Sequence, residues 1–148
     1  MTSGESIFNT HTERVEASPA TAWAVFLKRA QWMDSFGSRR LVSGTDNMPG
    51  AVADVTMAVA GSPVRQEETL FCEEARRLVV RITAAGTAMA AHADFQFDPI
   101  GAGCRIQVSI HSWMPGSTAE ERTHMHGLTQ EKIAADFARL REILRGAR

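Results

Sequence analysis

Between residues 39 and 113 the sequence is divided into six short segments in which apolar side chains alternate with polar ones. A period of two is typical of strands that bury one face. The links between the segments are short and rich in turn residues, whereas parallel strands need crossovers of a dozen or more residues. We therefore predict an antiparallel sheet with strands at residues 39–44, 51–60, 64–72, 78–84, 89–97 and 104–113.

Other elements precede and follow this region. Residues 7–17 alternate as a further strand, and Ser18-Pro19 is a favourable start for a short helix over residues 19–29. A second short helical segment is predicted to carry Trp32, Met33 and Phe36 and to end near Gly37. The stretch Ser117-Thr118-Ala119-Glu120 matches a capping box, which predicts a long final helix over residues 118–145.

Composition restricts the classes of function. The 148 residues are predicted to form one domain, with residues 1–6 as a tail. The chain has 16 basic and 17 acidic residues, and its basic residues cluster at Arg39-Arg40, at Arg76-Arg77 and in the last helix. Acidic residues adjoin two of these groups, so we expect solvated surface charge and no nucleic-acid binding. It has neither a signal sequence nor an apolar run of about 20 residues, so we expect a cytoplasmic protein that does not insert into membranes. Cys72 and Cys104 are expected to be reduced and buried.

The turns between strands suggest registers. Closing the link at Gly86 places Val80 opposite Ala93. Closing the link at residues 98–103 places Phe97 opposite Cys104. In both hairpins the apolar side chains then share one face, which is predicted to be the core face.

The link at Gly61-Ser62-Pro63 decides which glutamate faces the core. Closing it tightly pairs Val55 with Glu68 and points Glu68 inward, whereas the opposite parity points Glu67 inward. We favour Glu68. It could anchor a ligand or act as a general base with a raised pKa. The simpler alternative is a glutamate that reaches solvent or pairs with an arginine.

Element order and local motifs resemble the START / polyketide cyclase (SRPBCC, helix-grip) superfamily over about residues 7–145. The motifs are VEASP at residues 15–19 followed by Ala22-Trp23 and Phe26, then Trp32-Met33, and RRLV at residues 76–79. The resemblance implies an α+β helix-grip fold, in which a curved seven-stranded antiparallel sheet, two short helices and a long C-terminal helix enclose a cavity. Members bind lipids, sterols, polyketides, quinones or hormones, and the fold alone does not choose among these.

Within that fold, eight residues are predicted to contact a ligand. Four are apolar side chains that could form soft walls, although an ordinary core would also contain them. Three come from the first half of the last helix, which lines the cavity entrance in this superfamily. The eighth is Glu68. The full set is Trp32, Phe36, Met57, Glu68, Met89, His124, Met125 and Leu128.

One further pair could carry chemistry. His11 and Glu13 share the parity of Val15 on the first strand, so they could form a carboxylate-oriented histidine in the cavity. A surface position is the alternative.

Three functions remain open from the sequence. The first is binding or carriage of a small hydrophobic ligand such as a lipid, polyketide or quinone. The second is a polyketide cyclase or dehydratase that uses a cavity glutamate and a histidine as acid and base. The third is a chaperone-activator type of interaction module, which predicts a filled interior and an exposed apolar patch. The sequence has no recognisable catalytic set, metal-ligand spacing or cofactor motif, so no metal or cofactor is predicted.

Overall fold

A computed structural model describes residues 5–146 of the chain. It contains one antiparallel sheet of seven strands in the order β1-β7-β6-β5-β4-β3-β2. The helices are α1 (Pro19–Phe26), a 3-10 helix (Arg29–Gln31) and α2 (Ala119–Gly146). The strands are β1 (Ser6–Val15), β2 (Phe36–Ser43), β3 (Val52–Met57), β4 (Arg65–Glu73), β5 (Arg77–Ala84), β6 (Ala90–Ile100) and β7 (Gly103–Trp113). The predicted seven-stranded helix-grip architecture is confirmed.

The two helix starts follow from local hydrogen bonding. Ser18 Oγ accepts a hydrogen bond from the Thr21 N–H at 3.3 Å, and Pro19 occupies the first helical position of α1. At α2 the capping box is shifted by one residue from the prediction. Thr118 Oγ1 accepts from the Glu121 N–H at 3.1 Å, and Glu121 accepts from the Thr118 N–H at 2.9 Å. The same backbone hydrogen bond lowers the pKa of Glu121.

The predicted second helical segment was wrong in extent, because only the 3-10 helix forms and Phe36 already begins β2. The segment between the 3-10 helix and β2 is held in place by the hydrogen bonds of two side chains. The Trp32 indole N–H donates to the Phe26 carbonyl at 3.0 Å, and the Asp34 N–H donates to Asp136 of α2 at 3.3 Å. These bonds hold an irregular path that a continued helix could not follow.

The N-terminal tail is shorter than predicted. Ser6 is the first residue of β1, and the Glu5 carbonyl accepts from the Met114 N–H at 2.7 Å. The rest of the predicted tail, residues 1–4, lies outside the described residues.

Two hairpins preserve the predicted core face. Val80 pairs with Ala93, as predicted. Phe97 pairs with Ile106 and not with Cys104, because β6 and β7 continue to Ile100 and Gly103 and leave only two residues in the turn. A shift of two residues keeps every side chain on its predicted face.

In the hairpin of β3 and β4, the face of β4 that points to the core is not the predicted one. Val55 pairs with Arg65, whereas the tight turn predicted a pair with Glu68. The strands stop at Met57 and Arg65, so the link spans residues 58–64 and the register moves by three residues. An odd shift exchanges the two faces. Glu67 is therefore buried on the inner face, with 3% of its surface exposed, and Glu68 lies on the outer face.

The long helix covers one side of the inner face. α2 packs against β1 and α1, and its predicted apolar stripe is buried there: Ile133, Phe137, Leu140 and Leu144. Within residues 5–146, no helix has both the length and the apolar character needed to cross a bilayer.

Candidate functional site

A cavity lies between the inner face of β3 to β6 and the segment formed by residues 26–36. Its enclosed volume is about 80 Å³, within a recess of about 550 Å³ that continues into solvent. Nine of its twelve lining residues are apolar, and the other three are charged. The lining consists of Phe26, Arg29, Trp32, Met33, Phe36, Val55, Met57, Arg65, Glu67, Val80, Ile82 and Phe95.

Stacked aromatic rings form the innermost wall of the cavity. The ring centroids of Phe26 and Trp32 are 5.7 Å apart in a stacked arrangement, and Phe26 meets Phe95 edge to face at 4.9 Å. Phe137 of α2 supports Trp32 from behind at 5.1 Å. Since the indole N–H is also hydrogen-bonded, contacts within the protein hold this wall in place.

An ion pair closes the polar side of the cavity. Arg29, from the 3-10 helix, donates from both terminal nitrogens to Glu67, with Nη2 to Oε1 at 2.9 Å. Arg39 of β2 donates from Nε to the same Oε1 at 3.4 Å and also pairs with Asp46 at 2.8 Å. The hydrogen bond from Arg39 lowers the pKa of Asp46.

Both oxygens of Glu67 are occupied by these guanidinium groups. A buried carboxylate requires such partners, and a bidentate pair with arginine also fixes the position of the arginine. A group that takes a proton from a substrate must reach it with a free lone pair. The geometry therefore gives Glu67 the role of holding Arg29 and the 3-10 helix against β4.

A second buried carboxylate lies outside the cavity, between β1 and α2. Glu13 accepts from Arg141 Nη1 of α2 at 2.7 Å and lies 2.9 Å from Nε2 of His11. The His11 ring packs against Phe137 at 5.7 Å. The predicted pairing of His11 with Glu13 is thus present, but it lies beneath α2 and neither residue lines the cavity.

The family described as polyketide cyclase / dehydrase and lipid transport matches residues 9–145. This chain belongs to that family. The crystal structure of Ara h 8.0201 is similar to this family member, with a TM-score of 0.74 over 95% of this chain and 99% of the other chain. At 15% sequence identity, the similarity shows the shared fold and nothing about the ligand. No curated protein is similar to this chain in sequence.

For this polyketide cyclase / dehydrase and lipid transport family member, three of the eight predicted ligand-contacting residues line the cavity. They are Trp32, Phe36 and Met57. Contact of these residues with a ligand stays a prediction.

The other five predicted residues do not line the cavity. Glu68 is excluded by the register of β4, and Met89 lies in the β5–β6 link with 44% of its surface exposed. His124, Met125 and Leu128 belong to the first half of α2, and among the described residues none of the cavity lining comes from this helix. The physical reason is the position of α2 over β1, on the side of the sheet away from β3 to β5.

Sequence reasoning missed Arg29 and Arg65, which contribute charge to the cavity. One signal was available, because a buried glutamate needs a cationic partner. The chain contains many arginines, and only the fold selects which ones face Glu67. Among residues 5–146, no group of three or more histidine, cysteine or acidic side chains is arranged to hold a metal ion.

Proposed function

We propose that this protein binds and carries a small apolar molecule in the cavity between the sheet and residues 26–36. The observation that carries the proposal is the lining itself, which is mostly apolar and includes four aromatic side chains, three of which form the stacked wall of Phe26, Trp32 and Phe95. Concave apolar sites with a few placed polar groups are the usual form of small-molecule sites. This position differs from the one expected from the sequence, which was under the C-terminal helix.

The size of the cavity favours a compact ligand. The enclosed part, about 80 Å³, is smaller than the roughly 150 Å³ cavity that holds one benzene ring, so a compact ring system would also occupy part of the open recess, and a long lipid chain would extend well beyond it. Met33, Phe36 and Met57 are only partly buried at its outer side. Methionine side chains adapt readily to different shapes, so these residues can widen the site.

Binding without chemistry is favoured over the cyclase or dehydratase alternative. Such a reaction needs an acid and a base that converge on one substrate. Glu67 has both oxygens engaged by arginines, and the His11–Glu13 pair lies beneath α2, outside the cavity lining. The interaction module is also disfavoured, because it predicts a filled interior.

A neutral aromatic probe tests the proposal. We expect naphthalene-2-methanol to bind the wild-type protein, to raise its melting temperature and to remain attached in native mass spectrometry. Met57→Trp fills the cavity and should weaken binding about tenfold or more, since a blocked site excludes the probe. Val59→Trp adds the same side chain at a position that is 61% exposed, and it should bind like the wild type.

Two results would contradict the proposal. One is that neither this probe nor a panel of lipids and quinones binds. The other is that a folded Met57→Trp variant binds the probe as well as Val59→Trp does. If Met57→Trp does not fold, Ile82→Phe blocks the same cavity from β5.

A further inference from the structure

Resting on the proposed function, we infer that the cavity prefers amphipathic acids: ligands with a compact apolar body and one negatively charged head, which Arg65 holds at the cavity mouth. The inference concerns the chemical class of the ligand. It follows from the position of Arg65, from the charge balance of the cavity and from the geometry of the guanidinium group.

Arg65 lies where the cavity meets solvent. It is the first residue of β4, pairs with Val55 of β3 and shares the inner face with Glu67. It lines the cavity and is nevertheless exposed. A ligand whose apolar body contacts Phe26 and Phe95 would therefore have its outer end beside this side chain.

The charges around the cavity leave Arg65 without a counter-ion. Arg29 is paired with Glu67, and Arg39 is paired with Asp46 as well as with Glu67. Within residues 5–146, no carboxylate lies in ion-pair distance of the Arg65 guanidinium. Glu67, the one carboxylate among the lining residues, is thus already neutralised, and one positive charge remains beside an apolar space.

An anionic head fits this arrangement better than the alternatives. A guanidinium group presents paired N–H donors that match a carboxylate with two parallel hydrogen bonds. Because the head stays near solvent, neither charge loses all of its hydration. A cationic head would be repelled by Arg65, and Glu67 could not compensate since its oxygens are occupied by Arg29 and Arg39.

A matched pair of ligands measures the preference. 2-Naphthoate and naphthalene-2-methanol share the aromatic body and differ in the charge of the head at pH 7.5. By calorimetry at low salt, we expect the acid to bind about five- to tenfold more tightly than the alcohol. The ratio should fall when 0.5 M NaCl is added, because salt screens a charge pair near solvent.

Arg65→Gln should bring the ratio close to one, because it weakens binding of the acid far more than binding of the alcohol. Arg65→Lys should keep part of the preference, because lysine keeps the charge and loses the paired donors. Arg81→Gln is the control. It removes the same charge from an exposed position on β5, opposite Glu68 on the outer face, and should bind like the wild type.

The outcomes separate this inference from the proposed function. If the alcohol binds and the acid binds no more tightly, the preference for acids is overturned while the cavity remains a binding site. The same holds if Arg65→Gln leaves the ratio unchanged. If neither ligand binds, the proposed function fails and this inference fails with it.

Discussion

The inner face of the sheet is covered differently on its two sides. On the side of β1, α2 lies on the sheet and packs Leu140 and Leu144 into a solid core. On the side of β3 to β5, the cover is the short segment at residues 26–36, and a cavity remains. Both sides present inward apolar side chains in the same alternation, so the covering element decides whether the space beneath it is filled.

The two sides also share a means of attachment. Each presents one buried glutamate on the inner face, Glu13 on β1 and Glu67 on β4. Each glutamate accepts from an arginine of the covering element, Arg141 of α2 or Arg29 of the 3-10 helix. The difference lies in exposure, because the Arg29 side chain is 12% exposed and the Arg141 side chain is 42% exposed. The segment at residues 26–36 therefore depends more on its ion pair than α2 does.

The largest effect expected from this comparison is on the solid side. Leu140→Ala removes a fully buried side chain between α2 and the sheet, and it should lower the free energy of unfolding by about 4 kcal/mol. Met57→Ala, on the wall of the cavity, should cost less than about 1 kcal/mol because its side chain is already partly solvated. Urea denaturation measures both values. Equal losses would mean that the cavity side is packed as tightly as the α2 side.

A smaller effect is expected from the two ion pairs. Arg29→Met leaves the buried Glu67 with only the longer bond to Arg39, and it should cost about 3 kcal/mol. Arg141→Met should cost less, about 1 kcal/mol, because the arginine is half-exposed and Glu13 keeps its contact with His11 at 2.9 Å.

The double variant Arg29→Met/Glu67→Leu provides the control for this comparison. Removing both charges should recover most of the loss measured for Arg29→Met, since no unpaired carboxylate remains buried. If the double variant is as unstable as the single one, the cost comes from packing of the arginine and not from the ion pair.

The smallest effect concerns the reactivity of the two cysteines. Burial raises the pKa of Cys104 on β7 to about 11, so roughly one in a thousand of these thiols is ionised at pH 8. Cys72 on β4 is only partly buried, and its pKa is raised mainly by desolvation. With a disulfide reagent at pH 8, we expect Cys72 to react at least about tenfold faster than Cys104.

Cys72→Ser should remove the fast phase of this reaction, and Cys104→Ala should remove only the slow one. Two equal rates in the wild-type protein would show that Cys104 is not sheltered from solvent.

Much of the fold was predictable because its signals are local. The cap at Ser18, the alternation in β6 and β7, and the apolar stripe of α2 each depend on residues close together in the chain. The inner face of β5 to β7 was predicted correctly even where the register of Phe97 was displaced. An even displacement does not change which side chains point inward.

The candidate site was predictable only in part. Trp32, Phe36 and Met57 belong to the predicted wall and line the cavity. Glu67 was the less favoured of two alternatives, because the length of the β3–β4 link was underestimated. His124, Met125 and Leu128 were placed at the cavity from the family resemblance, and the position of α2 over β1 removes them from it.

The sequence by itself determined the elements, the antiparallel pairing and an apolar inner face, because caps and side-chain periodicity act over a few residues. The tertiary structure decided two things that no local pattern contains. One is the odd register shift across residues 58–64, which exchanged Glu68 for Glu67 on the inner face. The other is where α2 settles on the sheet, since packing between distant segments left β3 to β5 to the thin cover at residues 26–36 and so created the cavity.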